Sequence, residues 1–200
     1  VREGPMGFRK ELAVKRIRTD LTRADEELVR SLVREARLGG RLRHPNVVDI
    51  YEFGSVGDQY YLAMEFVDGL TLSMLIDGAA KRGTRLPVAA VLDLMLQVCE
   101  GLAHAHDLTS PDGEPLHLVH RDLKPSNLVV STAGQAKVMD FGVARSDADA
   151  TQMTAHGETK GTPRFMSPEQ LQTPDDLDGR SDLFALGGVL FEALTGCALL

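Results

Sequence analysis

Apolar and polar residues alternate over ELAVKRIR, residues 11–18, with Leu12, Val14 and Ile17 among polar neighbours, and a period near two predicts a strand. Over residues 24–42 the period lengthens: Leu28, Leu32, Glu35, Leu38 and Leu42 fall on or near one face of a helix whose remainder is charged. Gly39 and Gly40 sit late in that helix, where each costs up to ~1 kcal/mol relative to alanine, so close packing or a frayed end is expected there. His44-Pro45-Asn46 ends it. VVDIYEFG and QYYLAMEFV follow, two short apolar runs joined by Val56-Gly57-Asp58, which reads as a hairpin. Residues 86–108 carry the clearest amphipathic helix, with Val88, Val91, Leu92, Met95, Cys99, Leu102 and His106 at helical spacing. TSPDGEPLH, 109–117, is a turn-rich excursion, and short strands are expected at 128–131 and 136–139. A segment rich in Thr, Ala and Asp occupies 143–160. SDLFALGGVLFEALTG, 181–196, is apolar nearly all round, as a buried helix should be, with Ser181 as its expected N-cap and Gly196 as its stop. A strand-rich first third before a helical remainder predicts two lobes with a cleft between them.

Composition narrows the class. At 200 residues, 43% hydrophobic and 26% charged, the chain suits one ordinary domain or two small lobes. A net charge of −7, spread along the chain, argues against a nucleic-acid partner, whose footprint is usually basic. No stretch approaches the roughly 18 apolar residues of a spanning helix and no signal peptide opens the chain, so no membrane contact and a cytoplasmic location are expected. Cys99 and Cys197, far apart in apolar runs, read as two buried reduced thiols.

Polar residues interrupt the aliphatic run LVHRDLKPSNLVV, 118–130, and polar groups beside a core are costly unless partnered. Asp122 and Asn127, five residues apart on a loop flanked by apolar runs, can converge on one small volume. A second loop, Asp140-Phe141-Gly142, follows the apolar AKVM, and Gly142 permits a sharp turn. Oxygen ligands from Asn127 and Asp140 suit a hard cation, Mg²⁺ or Mn²⁺, that takes phosphate oxygens for its remaining positions. Asp122 is then free to orient a hydroxyl and accept its proton, and Lys124 to neutralise a phosphoryl group in transfer.

HRDLKPSN, 120–127, and DFG, 140–142, resemble the catalytic and metal-binding loops of eukaryotic-type (Hanks-type) serine/threonine protein kinases. Further matches follow in the family's order. LAVK, 12–15, resembles the strand whose lysine, Lys15, grips the ATP phosphates, and Glu35 lies where the family places that lysine's partner. MEFV, 64–67, resembles the hinge, with Met64 as gatekeeper and the backbone of Glu65 and Val67 bonding adenine between Ala13 and Val129. GTPRFMSPEQ, 161–170, resembles the end of the activation segment, with SPE for the commoner APE, and Asp182 and Gly187 match the helix that anchors the catalytic loop. His104, His106, His117 and His156 fit no motif and read as structural or solvated, while His120 is expected to pack on Phe141.

The resemblance implies an α+β, bilobal kinase-like fold with a small β-rich N-lobe (1–67) and a mainly helical C-lobe (68–200), truncated at both ends. Gly7 lies too close to Lys15 for Gly4-Pro5-Met6-Gly7 to be the family's phosphate-covering loop; REGPMGFRK reads instead as the turn between two strands, with that loop missing. The implied activity is transfer of the ATP γ-phosphoryl group to protein Ser or Thr hydroxyls. Lys124 and Thr162 resemble the serine/threonine branch, MSPEQ resembles bacterial members, and Pro168-Glu169 disfavours a small-molecule phosphotransferase. Arg121 implies regulation by a phosphate on Thr151, Thr154 or Thr159, the last two preferred, with self-association for autophosphorylation in trans. The competing reading is an inactive fragment or pseudokinase that only binds, against which stand intact Lys15, Asp122, Asn127 and Asp140.

Overall fold

The computed structural model describes residues 2–3, 5–16, 33, 36–57, 59–141, 163–172 and 177–198. Strands β1 (Arg2–Glu3) and β2 (Arg9–Lys10) pair antiparallel around a 3₁₀ turn at Pro5–Gly7, which agrees with the reading of that stretch as a turn. A three-stranded antiparallel sheet follows, in the order β3 (Leu12–Arg16), β5 (Gln59–Glu65), β4 (Ile50–Val56). Its register sets Ala13 opposite Met64 and Lys15 opposite Leu62, both buried, so Ala13 and Lys15 share the inward face. Val14, one of the apolar residues that predicted the strand, therefore turns outward and is 55% exposed.

Residues 36–39 are helical and end at Gly39, where a Cβ would collide with Ile50 Cδ1; close packing, not fraying, explains this glycine. Thr71 ends β6 (Gly69–Thr71) and caps α1 (Leu72–Lys81), its hydroxyl accepting from the Met74 amide at 3.2 Å. Neither element was expected. Their signals, the Thr71 cap and the apolar spacing of Leu72, Ile76 and Ala79, are short. α2 (Val88–His106) lies within the predicted bounds, but its buried face is Val91, Leu94, Met95, Val98, Leu102 and Ala105. Val88, Leu92 and Cys99 are exposed, as is Cys197, which corrects the expectation of buried thiols. By length and composition α2 is also apolar enough to cross a membrane, contrary to the reading that no stretch approaches this; here its buried face belongs to the core.

Strands β7 (Leu128–Ser131) and β8 (Ala136–Val138) lie where short strands were expected, and the structure pairs them as an antiparallel hairpin with β6 added at its edge. α3 (Pro168–Gln172) and α4 (Gly179–Thr195) complete the described elements. The N-cap of α4 is Asp178, whose carboxylate accepts from the Arg180 amide at 2.9 Å, so Ser181 lies inside the helix and is not its cap. Gly196 ends it in the left-handed region, φ 69°, as expected.

Most apolar burial gathers where α1, α2, α4 and the β7–β8 hairpin meet, around Ile76, Val98, Leu102, Leu128, Val138 and Val189. Each such side chain contributes about 1.5–3 kcal/mol on burial. A smaller cluster of Val48, Leu62 and Met64 lies under the β3–β5–β4 sheet. The two bodies are stitched at β8. The Val48 amide donates to the Val138 carbonyl at 2.9 Å, and Val138 donates to Asn46 at 2.8 Å. Asn46 Nδ2 donates to the Ala136 carbonyl at 2.9 Å. The end of β8, and with it Asp140, is thereby held beneath β3.

Candidate active site

Pro125–Asn127 forms a single 3₁₀ turn that begins at extended Lys124 and runs straight into β7. Proline suits that first position because its missing N–H is needed by no partner. The turn folds Asn127 back on Asp122: Asn127 Nδ2 donates to the Asp122 carbonyl at 2.8 Å and to its Oδ2 at 3.1 Å. Lys124 Nζ donates to the same Oδ2 at 2.7 Å. One carboxylate oxygen thus carries both donors, and the Asp122 side chain stays 43% exposed.

Asp140 adopts φ 58°, a left-handed conformation unusual for a residue other than glycine, in the turn that follows β8. Its Oδ1 accepts from Lys15 Nζ at 3.0 Å across the gap between the sheet and the helical part. The Met139 amide donates to the Asn127 carbonyl at 3.0 Å, which brings the two loops side by side. Phe141 is buried with its ring 4.9 Å from that of His120, as expected.

His120 is fully buried, and among the described residues its polar contacts hold the loop. Its Nε2 meets the Met139 carbonyl at 3.0 Å, and its Nδ1 accepts from the Asp122 amide at 3.2 Å. Asp182, 1% exposed on α4, accepts from the His120 amide at 2.8 Å and the Arg121 amide at 3.0 Å. His106 Nε2 reaches the same carboxylate at 2.8 Å, over Gly179, where a Cβ would stand 2.6 Å from the imidazole. Of the two readings given to His106, structural or solvated, the contact with Asp182 decides for the structural one.

Along β5, Met64 is buried and faces a small apolar cavity that it shares with Leu42, Val48, Ile50, Val138, Asp140 and Phe141. The Glu65 amide donates to the Asp49 carbonyl at 2.8 Å, and its carboxylate pairs with Lys137 at 3.0 Å. Val67 and Val129 are half-buried. Glu169 Oε1 accepts from the Ser181 hydroxyl at 2.8 Å. The Glu169 carboxyl is held below its ordinary range, first by its own backbone amide and then by Ser181.

The fold therefore gathers Lys15 with Asp140, and Asp122 with Lys124 and Asn127, and leaves Arg121, through its backbone, beside them. Glu35, Gly142, Thr151, Thr154, Thr159 and Thr162, together with His156, lie outside the described residues. Sequence reasoning missed Gln170, whose Nε2 donates to the Arg121 carbonyl at 2.6 Å, and Lys137 beneath the Glu65 carboxylate. For Gln170 a signal existed: Ser-Pro-Glu-Gln over 167–170 is a capping-box pattern.

The family model described as "Protein kinase domain" matches residues 7–200. The chain is 38% identical to the Bacillus subtilis serine/threonine-protein kinase PrkC over 94% of its length and 26% of that protein. It is 37% identical to the serine/threonine-protein kinase PknB of Mycobacterium leprae, covering 94% of this chain and 28% of PknB. It is 38% identical to the Myxococcus xanthus tyrosine-protein kinase MasK, covering 96% of this chain and 29% of MasK. The chain thus spans under a third of the length of these curated relatives. Among solved structures it resembles the kinase domain of Mycobacterium tuberculosis PknI, with a TM-score of 0.70, 27% identity, and coverage of 96% of this chain and 67% of that one.

Proposed function

From a chain that belongs to the protein kinase domain family, we propose a serine/threonine kinase that moves the γ-phosphoryl group of ATP to hydroxyls of protein substrates. The observation that carries this reading is the hydrogen-bonded cluster of Asp122, Lys124 and Asn127 beside the Lys15–Asp140 pair. With Lys124 and Asn127 both on Oδ2, Asp122 Oδ1 is left to accept from a substrate hydroxyl and take its proton. Lys124 places positive charge where the transferred oxygens gather. Asn127 commits its amide nitrogen to Asp122, which leaves its carbonyl oxygen as a ligand. With the Asp140 carboxylate this makes an all-oxygen donor set that fits Mg²⁺ or Mn²⁺. Bound there, the cation neutralises phosphate charge.

Lys15, with Glu35 as its carboxylate partner, steadies the ATP phosphates. Ala13 and Val129 enclose adenine and Met64 closes the space behind it. The Glu65 amide is committed to Asp49, so its carbonyl and the Val67 amide are the groups offered to the base. A division into lobes at 1–67 and 68–200 sets this nucleotide site between them. Arg121 receives a phosphate carried by Thr154 or Thr159, with Thr151 a third acceptor, placed there by a second copy of the chain. Thr162 and Glu169 shape the surface that meets the protein substrate. The domain acts in the cytoplasm, where ATP is supplied.

Radiolabelled ATP with Mg²⁺ and the full protein tests this, with Asp122→Asn and Asp140→Ala alongside. Label on serine and threonine, lost in both variants, is expected. Equal incorporation by all three proteins would sink the catalytic assignment. Label confined to tyrosine would instead favour the acceptor named for MasK.

A further inference from the structure

Ser167-Pro168-Glu169-Gln170 opens α3 with a reciprocal cap. The Ser167 hydroxyl accepts from the Gln170 amide at 3.4 Å, and Gln170 Oε1 accepts from the Ser167 amide at 3.0 Å. Glutamate closes such a box as well as glutamine, because the box uses one side-chain oxygen. Glutamine differs only in its second, donating end. The bond to Ser167 decides which way the amide faces, and Nε2 is directed to the Arg121 carbonyl at 2.6 Å. Ser167 is 0% and Gln170 8% exposed, so water cannot readily replace a lost partner there.

The Arg121 carbonyl belongs to the peptide that leads into Asp122. Arg121 itself has φ 67°, a backbone state that L-residues disfavour and that surrounding bonds must hold. Asp182 holds the Arg121 amide at 3.0 Å, and His120 Nδ1 takes the Asp122 amide at 3.2 Å. Among the described residues, the carbonyl between them is held by Gln170.

We propose that Gln170 is a positioning residue: by holding the Arg121 carbonyl it keeps the Arg121–Asp122 peptide from turning over, and so couples the segment at α3 to the aim of the Asp122 carboxylate. This rests on the reading of Asp122 as the base. Gln170→Glu is the discriminating variant, since it keeps an oxygen for Ser167 and sets a second oxygen against the Arg121 carbonyl.

Two readouts on the full protein decide it. Amide exchange over residues 118–124 should quicken in Gln170→Glu while exchange in α2 is unchanged. The kcat for a protein substrate, measured well below the melting temperature of the variant, should fall roughly tenfold, with KM for ATP close to wild type. Protonating the introduced carboxyl restores a donor, so kcat relative to wild type should recover as pH falls. Ser167→Ala, which removes the hydroxyl and spares the Arg121 contact, should lower the melting temperature more than kcat. Unchanged exchange in Gln170→Glu overturns the proposal, as does a kcat loss that merely tracks melting temperature in both variants. Exchange requires no turnover, so a wild-type protein that transfers no phosphate would sink the kinase reading while exchange still judged Gln170.

Discussion

The Asp182 carboxylate is 1% exposed and accepts from two backbone amides and from His106, three donors that compensate a charge taken out of water. Asp182→Asn keeps the shape and turns an NH₂ toward those donors. Urea denaturation should show a loss of roughly 3 kcal/mol, with activity falling because Arg121 and Asp122 lose their footing. Asp122 is the converse case. Its side chain is 43% exposed and, among the described residues, hydrogen-bonds within its own loop, so Asp122→Asn should leave the unfolding midpoint nearly unchanged. Its kcat should nevertheless fall by roughly 10²–10⁴, measured at saturating ATP. At this scale the site was legible because Asp122, Lys124 and Asn127 are local to one loop. Asp182, 62 residues from the His120 it holds, was legible through the family resemblance. The contact of Gln170 with Arg121, 49 residues away, and that of His106 with Asp182, 76 residues away, join segments whose sequences do not show which residues will meet.

Elements stop and join where backbone and ring chemistry allow. Gly196 ends α4 at φ 69° with open space where a Cβ would go, so Gly196→Ala meets strain and no clash. A loss of about 1 kcal/mol in thermal unfolding is expected. The loop at residues 44–46 is tied to α2 by the stacked rings of His44 and His104, 5.0 Å apart. Burial, then the neighbouring His104, lowers His44 below the ordinary histidine value of 6.5, against an opposing pull from Glu100. The folded state therefore binds fewer protons than the unfolded chain near that value. Stability from this group is present above pH 6.5 and lost as pH falls through the lowered value. A melting temperature that declines as pH falls below 6.5, less steeply in His44→Asn, is the expected signature.

For the whole molecule, the sheet brings Lys15 and the helical part brings Asp140, and their 3.0 Å contact spans the gap between them. A ligand that engages both sides stabilises the folded state by mass action, about 2.7 kcal/mol at a hundredfold excess over Kd. ATP with Mg²⁺ should therefore raise the melting temperature of the full protein. Chelation of the metal should reverse most of that shift, and Lys15→Ala or Asp140→Ala should abolish it. The Glu65–Lys137 pair, 3.0 Å and partly buried, joins the end of β5 to β8 and holds the same two bodies at one spacing.

By itself, the sequence determined the features whose cause is local. The short strands β7 and β8, the span of α2 and the glycine stop of α4 follow from periodicity and backbone preference over a few residues. The order of HRDLKPSN, DFG and the hinge along the chain identified the family before any coordinates. Tertiary structure decided which side of each element faces inward. Periodicity shows that β3 has two faces, but only its register against β5 turns Ala13 and Lys15 in and Val14 out. The same holds for Cys99 on α2, exposed because the helix rolls Val91 and Val98 toward the core, and for Ser181, which lies within its helix because Asp178 captures the first turn. Hydrogen bonds between distant segments form only after the chain has packed, which is why Gln170 on the Arg121 carbonyl had to be seen in three dimensions.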